Sequence, residues 1–161
     1  MPKILLGFMG SGKSTIANLL DKDFIDMDAF IEKRIGTSIK EFFEENDEVR
    51  FREIESEVLK ELLDLPSQKV VATGGGVVMS DENRRLLRKN KNDNIFLDAS
   101  FDVIYQRIIQ DKKNQRPLFL KHSKEEFKGI FDMRYDWYCT LAGQIICVDN
   151  LSPNEIRSKI K

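Results

Sequence analysis

Short apolar runs alternate along the chain with longer stretches in which apolar residues recur every three or four positions. The short runs cover residues 3–7, 24–26, 69–73, 94–98 and 144–148. Such runs separated by helical patterns are typical of βαβ units, in which the strands are parallel and helices cover both faces of the sheet. The pattern therefore predicts an α/β protein with three layers (αβα) around a central, five-stranded parallel sheet.

Three serines mark predicted helix starts. Ser38 and Ser123 are each followed by a glutamate three residues later, which is the signature of a capping box. Ser152 precedes Pro153, so a capping residue stands before a proline at the first helical position. We expect a helix to begin directly after each of these serines.

The stretch 49–65 has the pattern of one long helix, and Pro66 directly after it is expected to stop that helix. Apolar residues repeat on one face of it, as a helix packed against a core requires. These residues are Phe51, Ile54, Val58 and Leu62.

Composition and charge fit one ordinary globular domain. The chain has 161 residues, of which 41% are apolar, and its 26 basic and 27 acidic residues give a net charge of −1. Nucleic-acid-binding proteins usually carry a basic excess, so we expect no nucleic-acid partner. The segment RRLLRKNKN, residues 84–92, is interpreted instead as the basic end of a solvated helix.

The cysteines and the apolar runs bear on the cellular compartment. Cys139 and Cys147 belong to no CxxC pair and no histidine cluster, so we expect reduced thiols, as in cytosolic proteins. The apolar stretch at the N-terminus is too short for a secretion signal, and no run reaches the roughly 18 residues that cross a membrane. These features predict a cytoplasmic protein without a membrane partner.

The segment GFMGSGKS, residues 7–14, carries the strongest chemical signal in the chain. It matches G-x-x-x-x-G-K-[ST], with an apolar run before it and a helical pattern after it. Glycines let successive N–H groups surround a phosphate, and the following helix N-terminus adds the positive end of its dipole. Lys13 is expected to reach the β- and γ-phosphates of ATP, and the Ser14 hydroxyl to ligate Mg²⁺. The predicted ATP-binding residues of this segment are Gly10, Ser11, Gly12, Lys13, Ser14 and Thr15.

A kinase of this type also needs an aspartate near the metal, at the end of an apolar strand. Asp26, Asp98 and Asp149 all qualify, and spacing alone does not choose among them. Asp26 stands out because Asp28 follows two residues later, and such residues point the same way if the segment is extended. An alternative reading makes Asp28 an acid at a helix N-terminus, favoured by the helix dipole.

The glycine run in VVATGGGVV, residues 70–78, interrupts an apolar stretch. Glycine weakens a strand, so Gly74, Gly75 and Gly76 indicate that something approaches the backbone closely or that the chain turns there. The run follows a predicted strand, at the sheet edge where ligands of open α/β folds bind. We interpret it as part of a binding site.

Five further motifs follow the phosphate loop in order. They are FIDMDAFIEKRIGTSIKEFF, FREIE, ATGGGVV, QRPLF and MRYDWY. With them the chain resembles the shikimate kinase family, ATP-dependent P-loop kinases that phosphorylate the 3-hydroxyl of shikimate on the route to chorismate and the aromatic amino acids. The resemblance implies one adenylate-kinase-like domain over residues 1–161, with a substrate-binding helical segment at about 27–55 and a mobile lid at about 109–124.

The resemblance also implies roles on the shikimate side. Arg52 and Arg134 would clamp the shikimate carboxylate, for which the planar guanidinium is suited. Glu55, on the same helical face as Arg52, would hold that arginine in place. The glycines at positions 74–76 would line the shikimate pocket, and Asp28 would contact the hydroxyl that is phosphorylated.

On the nucleotide side the resemblance places Arg116 on the lid, where it would meet the phosphates after closure. Arg107 would stack on adenine, and VDNLSP, residues 148–153, would line the other face of the base. Asp26 and Ser14 form the implied Mg²⁺ site. Lys13, Asp28 and Arg116 are the implied catalytic residues, and the protein is expected to be a monomer.

The spacing after the phosphate loop departs from the family pattern. Only TIANLLDKD, residues 15–23, separates the phosphate loop from FIDMD, about one helical turn less than is usual in the family. This predicts a short first helix or a tight connection, and makes the placement of Asp26 and Asp28 the point to check.

The alternative functions are another small-metabolite P-loop kinase, acting on gluconate or a nucleoside monophosphate, and a non-catalytic nucleotide-binding protein.

Overall fold

A computed structural model describes residues 1–111 and 121–161 of the chain. Its centre is a five-stranded sheet in the order β2-β3-β1-β4-β5, and every neighbouring pair is parallel. This confirms the predicted α/β class and the parallel sheet. The strands are β1 Lys3–Leu6, β2 Ile25–Asp26, β3 Val70–Ala72, β4 Asn94–Asp98 and β5 Gln144–Cys147.

Eight α-helices are described in these two ranges. They are α1 Lys13–Leu20, α2 Met27–Ile35, α3 Ile39–Glu45, α4 Glu48–Leu62, α5 Asp81–Lys89, α6 Phe101–Gln110, α7 Lys124–Leu141 and α8 Pro153–Lys159. Two short 3₁₀ turns, Val77–Met79 and Lys91–Asp93, precede α5 and β4. No helix in the described ranges is long and apolar enough to cross a membrane.

The register of the central strands brings two loops together. Leu5 of β1 pairs with Ala72, the last residue of β3, so the two strands end within one residue of each other. The pairing continues past the strand, because the Thr73 hydroxyl donates to the Leu5 carbonyl at 2.7 Å. The phosphate loop after β1 and the glycine run after β3 therefore leave the sheet side by side.

The predicted helix caps are confirmed with one partial exception. Ser123 and Ser152 form reciprocal capping boxes, and Pro153 occupies the first turn of α8. Ser38 caps α3 by accepting from the Glu41 amide, but the Glu41 carboxylate bonds the Thr37 hydroxyl instead of closing the box. A competing hydroxyl one residue upstream accounts for the difference.

The long helix α4 is confirmed, with its end three residues before the predicted one. The apolar face predicted for it is buried, and it joins the core. Residues 63–65 form turns that lead into Pro66. Backbone hydrogen bonds such as that from the Leu65 amide to the Leu62 carbonyl replace the helical pattern there.

The first helix is short, as predicted. It covers only the eight residues of α1, and four residues separate it from β2. The connection is held by the Phe24 amide, which donates to the Asp21 carbonyl at 3.0 Å.

The interpretation of residues 84–92 as a solvated helix end is wrong for Arg84. Its guanidinium lies 4.0 Å from the centre of the Trp137 ring on α7 and donates to the Val78 carbonyl at 2.6 Å. Arg85, by contrast, is exposed as expected. Arg84 thus fastens the 3₁₀ turn behind the glycine run to α7.

Both cysteines are free thiols, as predicted.

Candidate active site

A cleft of about 580 Å³ opens at the carboxyl edge of the sheet. This volume suits a small ligand or part of a nucleotide. Its walls come from the phosphate loop, the start of α1, the β2–α2 junction, the glycine run, α6 and the residues around α8. The lining includes Gly10, Gly12, Lys13, Ser14, Thr15, Asp26, Asp28, Thr73, Gly74, Gly75, Arg107, Leu151 and Pro153.

The phosphate loop has the backbone that an anion site requires. Gly10 and Gly12 have φ values of 81° and 94°, a left-handed region that residues with a side chain rarely adopt. Helix α1 starts at Lys13 and points its N-terminus at the cleft, where Ser14 and Thr15 are also exposed to it. The Lys13 ammonium donates to the carbonyls of Gly7 and Phe8 at 2.5 and 3.1 Å. It therefore lies across the loop that it is predicted to serve.

Asp26 and Asp28 both line the cleft, but the local geometry predicted for them is wrong. The segment is not extended through Asp28, because β2 ends at Asp26 and α2 begins at Met27. Oδ1 of Asp26 accepts from the amides of Asp28 and Ala29 at 3.1 and 3.3 Å, so this aspartate caps the helix. The alternative reading of Asp28 as an acid in the first helical turn is the correct one, and it still faces the cleft.

The other two candidate aspartates have different partners. Asp98 accepts a hydrogen bond from the Tyr135 hydroxyl at 2.8 Å. Asp149 accepts from the backbone amide of Ser100 at 3.1 Å, beside the start of α6. Neither lines the cleft. Of the three candidates, Asp26 is therefore the one that lines the same cleft as Ser14.

The surroundings of Asp28 raise the pKa of its carboxyl group. Burial is the largest cause, the charge of Asp26 adds to it, and the nearby Lys13 acts in the opposite direction. A carboxylate held in this way is a better proton acceptor than an exposed aspartate.

The glycine run lies against the side chains of the site itself. A Cβ on Gly74 would lie 2.6 Å from Oδ1 of Asp28, and one on Gly76 would lie 2.7 Å from Nη2 of Arg52. A Cβ on Gly75 would approach the backbone nitrogen of Met9 at 3.2 Å. Because these glycines have no side chains, the Asp28 carboxylate and the Arg52 guanidinium can lie directly against this backbone.

Arg52 is held by two carboxylates of its own helix. Its Nη1 donates to Oε1 of Glu55 at 2.9 Å, which confirms the predicted contact, and its Nη2 lies 3.3 Å from Glu48. The Arg52 side chain is 17% exposed and that of Glu55 only 2%. Burial is the main reason why the pKa of Glu55 is raised, and the pairing with Arg52 opposes it.

Arg134 is a buried cation that, unlike Arg52, has no carboxylate partner among the described residues. It is 7% exposed, and no carboxylate of the described ranges forms a salt bridge with it. Its Nε has no hydrogen-bond partner there, and its guanidinium lies 5.5 Å from the Phe8 ring centre. Burial lowers the pKa of Arg134. An anion beside it would supply the salt-bridge partner that the described residues do not provide.

The structure adds site residues that the sequence did not indicate. The buried Tyr138 hydroxyl donates to the Gly75 carbonyl, and burial raises its pKa. Asn83, on α5, donates from Nδ2 to Oε1 of Glu55 at 2.9 Å. Both contacts join residues that are distant in the chain, so no local pattern announces them.

The nucleotide side is described in part. Arg107 lines the cleft and donates from Nη1 to the Gly10 carbonyl at 2.8 Å, while Leu151 and Pro153 stand at the cleft wall. Arg116, and most of the predicted lid, lie outside the described residues.

Comparisons with known proteins point to one family. The model of the shikimate kinase family matches residues 9–161. The shikimate kinase of Streptococcus thermophilus is 53% identical over 161 residues, which cover 100% of this chain and 99% of that protein.

Solved structures give the same result. Shikimate kinase from Acinetobacter baumannii in complex with shikimate matches with a TM-score of 0.85 at 30% identity, covering 99% of this chain and 90% of that one. The Aquifex aeolicus shikimate kinase gives a TM-score of 0.83 at 35% identity, covering 99% of this chain and 94% of that one. Because the matches extend through almost the whole chain, including the residues that line the cleft, the chain belongs to the shikimate kinase family.

Proposed function

We propose that this cleft transfers the γ-phosphoryl group of ATP to the 3-hydroxyl of shikimate, forming shikimate 3-phosphate and ADP. One observation carries the proposal: two guanidinium groups flank a side-chain-free floor next to a phosphate loop. The reaction is a step toward chorismate and the aromatic amino acids. The relative from A. baumannii, whose structure contains shikimate, supports this choice of acceptor.

The shikimate carboxylate would bind between Arg52 and Arg134. Arg134 supplies a buried positive charge without a salt bridge in the described part of the chain, and Arg52 supplies a second one fixed by Glu55. Gly74, Gly75 and Gly76 form the floor on which the ring would lie. A planar, bidentate donor on each side would fix both the position and the orientation of the ring.

Asp28 would face the hydroxyl that attacks the γ-phosphorus. In the transfer the shikimate oxygen forms a bond to phosphorus, the bond to the β,γ-bridging oxygen of ATP breaks, and the hydroxyl proton passes to Asp28. The raised pKa of this carboxyl group makes it a suitable acceptor. Because such transfers are loose, much of its contribution would come from orienting the nucleophile.

Ser14 and Asp26 are the residues that would hold Mg²⁺. A hydroxyl and a carboxylate are hard oxygen donors of the kind this ion prefers, and both line the cleft beside the phosphate loop. Only Oδ1 of Asp26 is engaged in capping α2, so Oδ2 has no hydrogen bond among the described residues. The bound ion would neutralise charge on the β- and γ-phosphates.

The remaining nucleotide contacts are proposed from the family resemblance and the cleft lining. The backbone amides of residues 10–15, including those of Ser11 and Thr15, would surround the phosphates. Lys13 would move from the carbonyls of Gly7 and Phe8 to the β- and γ-phosphate oxygens. Arg107 would stack on adenine. Arg116 would approach from a lid at about 109–124, within one domain whose shikimate-binding segment is about 27–55.

We expect this small chain of 161 residues to be active as a monomer, and we place it in the cytoplasm, where ATP is available. Size-exclusion chromatography of the active protein would test the first point.

The test of the function is ADP release from ATP and Mg²⁺ with shikimate, with gluconate or with no acceptor. ADP should form only with shikimate, and mass spectrometry should find one phosphate on the product. Release with gluconate alone would indicate another small-metabolite kinase. Absence of release with every acceptor, together with intact ATP binding, would favour the non-catalytic alternative.

A further inference from the structure

Asn83 is a fully buried polar residue at the start of α5 with both ends of its amide engaged. Its Nδ2 donates to Oε1 of Glu55 at 2.9 Å, and its Oδ1 accepts from the Ser56 hydroxyl at 2.6 Å. The Glu55 carboxylate requires a donor, so the reverse orientation of the amide would place two oxygen acceptors against each other. The chemistry of its neighbours therefore fixes which way Asn83 points.

The oxygen that Asn83 contacts is the one that holds Arg52. Oε1 of Glu55 accepts from Nη1 of Arg52 at 2.9 Å and from Asn83 at the same time. The second partner of Arg52, Glu48, is largely exposed. The buried side of the guanidinium is thus oriented through one oxygen atom, and Asn83 helps to fix the position of that atom.

The contact also joins the helix that carries Arg52 to the segment that carries the glycine run. Arg52 and Glu55 stand on α4, whereas Asn83 stands on α5, which follows the glycine run after a single 3₁₀ turn. Nη2 of Arg52 occupies the space beside Gly76. A shift of α5 relative to α4 would therefore change both the floor of the pocket and the cation above it.

We propose that Asn83, oriented by Ser56, is a positioning residue for carboxylate recognition: it holds Glu55, and through it Arg52, in register with the glycine floor. The inference rests on the proposed function, since the carboxylate is that of shikimate. Asn83 itself would touch neither substrate. Its removal should consequently affect shikimate and leave ATP almost unaffected.

The experiment compares Asn83→Ala with Asn90→Ala. Asn90 is equally buried at the far end of α5, where it bonds the Pro2 carbonyl and Asn94, so it is a matched control for loss of a buried amide. Asn83→Ala should raise the KM for shikimate about tenfold, the effect of losing one hydrogen bond to a charged group, with the KM for ATP changed less than about twofold. Asn90→Ala should lower stability without changing the KM for shikimate.

A double-mutant cycle shows whether Asn83 acts through Glu55. In a Glu55→Gln background, Asn83→Ala should add less than about twofold to the KM for shikimate, because the oxygen it serves no longer pairs with Arg52 as an ion. Ser56→Ala is a milder second variant that removes only the hydrogen bond to Oδ1 of Asn83, and it should raise the same KM by about threefold.

Three results would overturn the inference: equal changes in both KM values, no change in a folded Asn83→Ala protein, or full additivity with Glu55→Gln. If the wild-type protein itself does not phosphorylate shikimate, the proposed function fails first. If it does and the variants do not separate shikimate from ATP, only the role of Asn83 is wrong.

Discussion

Replacing Arg134 with methionine should weaken shikimate binding while leaving the free protein at least as stable. The residue is 7% exposed and has no salt bridge in the described part of the chain, so the folded protein carries the cost of a buried charge. Replacing buried ionic groups with apolar ones of similar volume is often neutral or stabilising by about 1–4 kcal/mol. Against this stands the loss of the cation–π contact with Phe8, worth roughly 1 kcal/mol. The net expectation is a free energy of unfolding unchanged or raised by up to about 3 kcal/mol.

Binding should respond in the opposite direction. Truncating one partner of a buried charge pair costs about 2–5 kcal/mol, so the affinity for shikimate should fall at least about thirtyfold. Titration calorimetry with shikimate measures this loss, and urea unfolding with and without shikimate measures both effects in one assay. At the same concentration, added shikimate should stabilise the variant much less than the wild type.

Arg52→Met provides the contrast within the same site. Here the substitution would leave Glu55, which is 2% exposed, without its cation, and breaking such a pair destabilises by about 3 kcal/mol. Both variants should bind shikimate poorly, but only Arg52→Met should lower stability. A free Arg134→Met protein less stable than the wild type by more than about 1 kcal/mol, or one that binds shikimate normally, would refute the reasoning.

Three further predictions concern the same cleft. Asp26→Asn should raise the Mg²⁺ concentration needed for half-maximal rate by at least about tenfold, with stability changed by less than about 0.5 kcal/mol, because asparagine also caps helices well. An unchanged Mg²⁺ titration would remove Asp26 from the metal site. Gly76→Ala should raise the KM for shikimate more than that for ATP, since the added Cβ would displace Arg52, and equal KM changes would contradict this. The kcat/KM for shikimate should fall as the pH drops through the raised pKa of Asp28, because the proton-accepting form of the carboxylate is then lost. Asp28→Asn should remove this decrease at acidic pH. A decrease that persists in the variant would argue against Asp28 as the base.

Local patterns in the sequence were sufficient for the strands, the helix starts and the phosphate loop. Each depends on neighbours in the chain: a short apolar run, a serine three residues before a glutamate, or glycines before Lys13. The Arg52–Glu55 pair was predictable for the same reason, because residues three apart share a helical face.

The misjudged features depend on competition or on distant partners. Asp26 could end a strand or cap a helix. The extended geometry predicted for Asp28 was wrong because Asp26 caps α2, which begins at Met27. Arg84 looked solvated because nothing nearby in the chain predicts the Trp137 ring that covers it. The contacts of Asn83 and Tyr138 arise only after α4, α5 and α7 have packed together.

The stacking of Arg84 on Trp137 gives the molecule a built-in optical probe. Trp137 is the single tryptophan of the chain, half-buried on α7 three residues after Arg134. The Arg84 guanidinium lies 4.0 Å from the centre of its ring, so a displacement of α5 relative to α7 would change the surroundings of the indole. We therefore expect shikimate bound at the proposed site between Arg52 and Arg134 to change the Trp137 emission of the unlabelled protein.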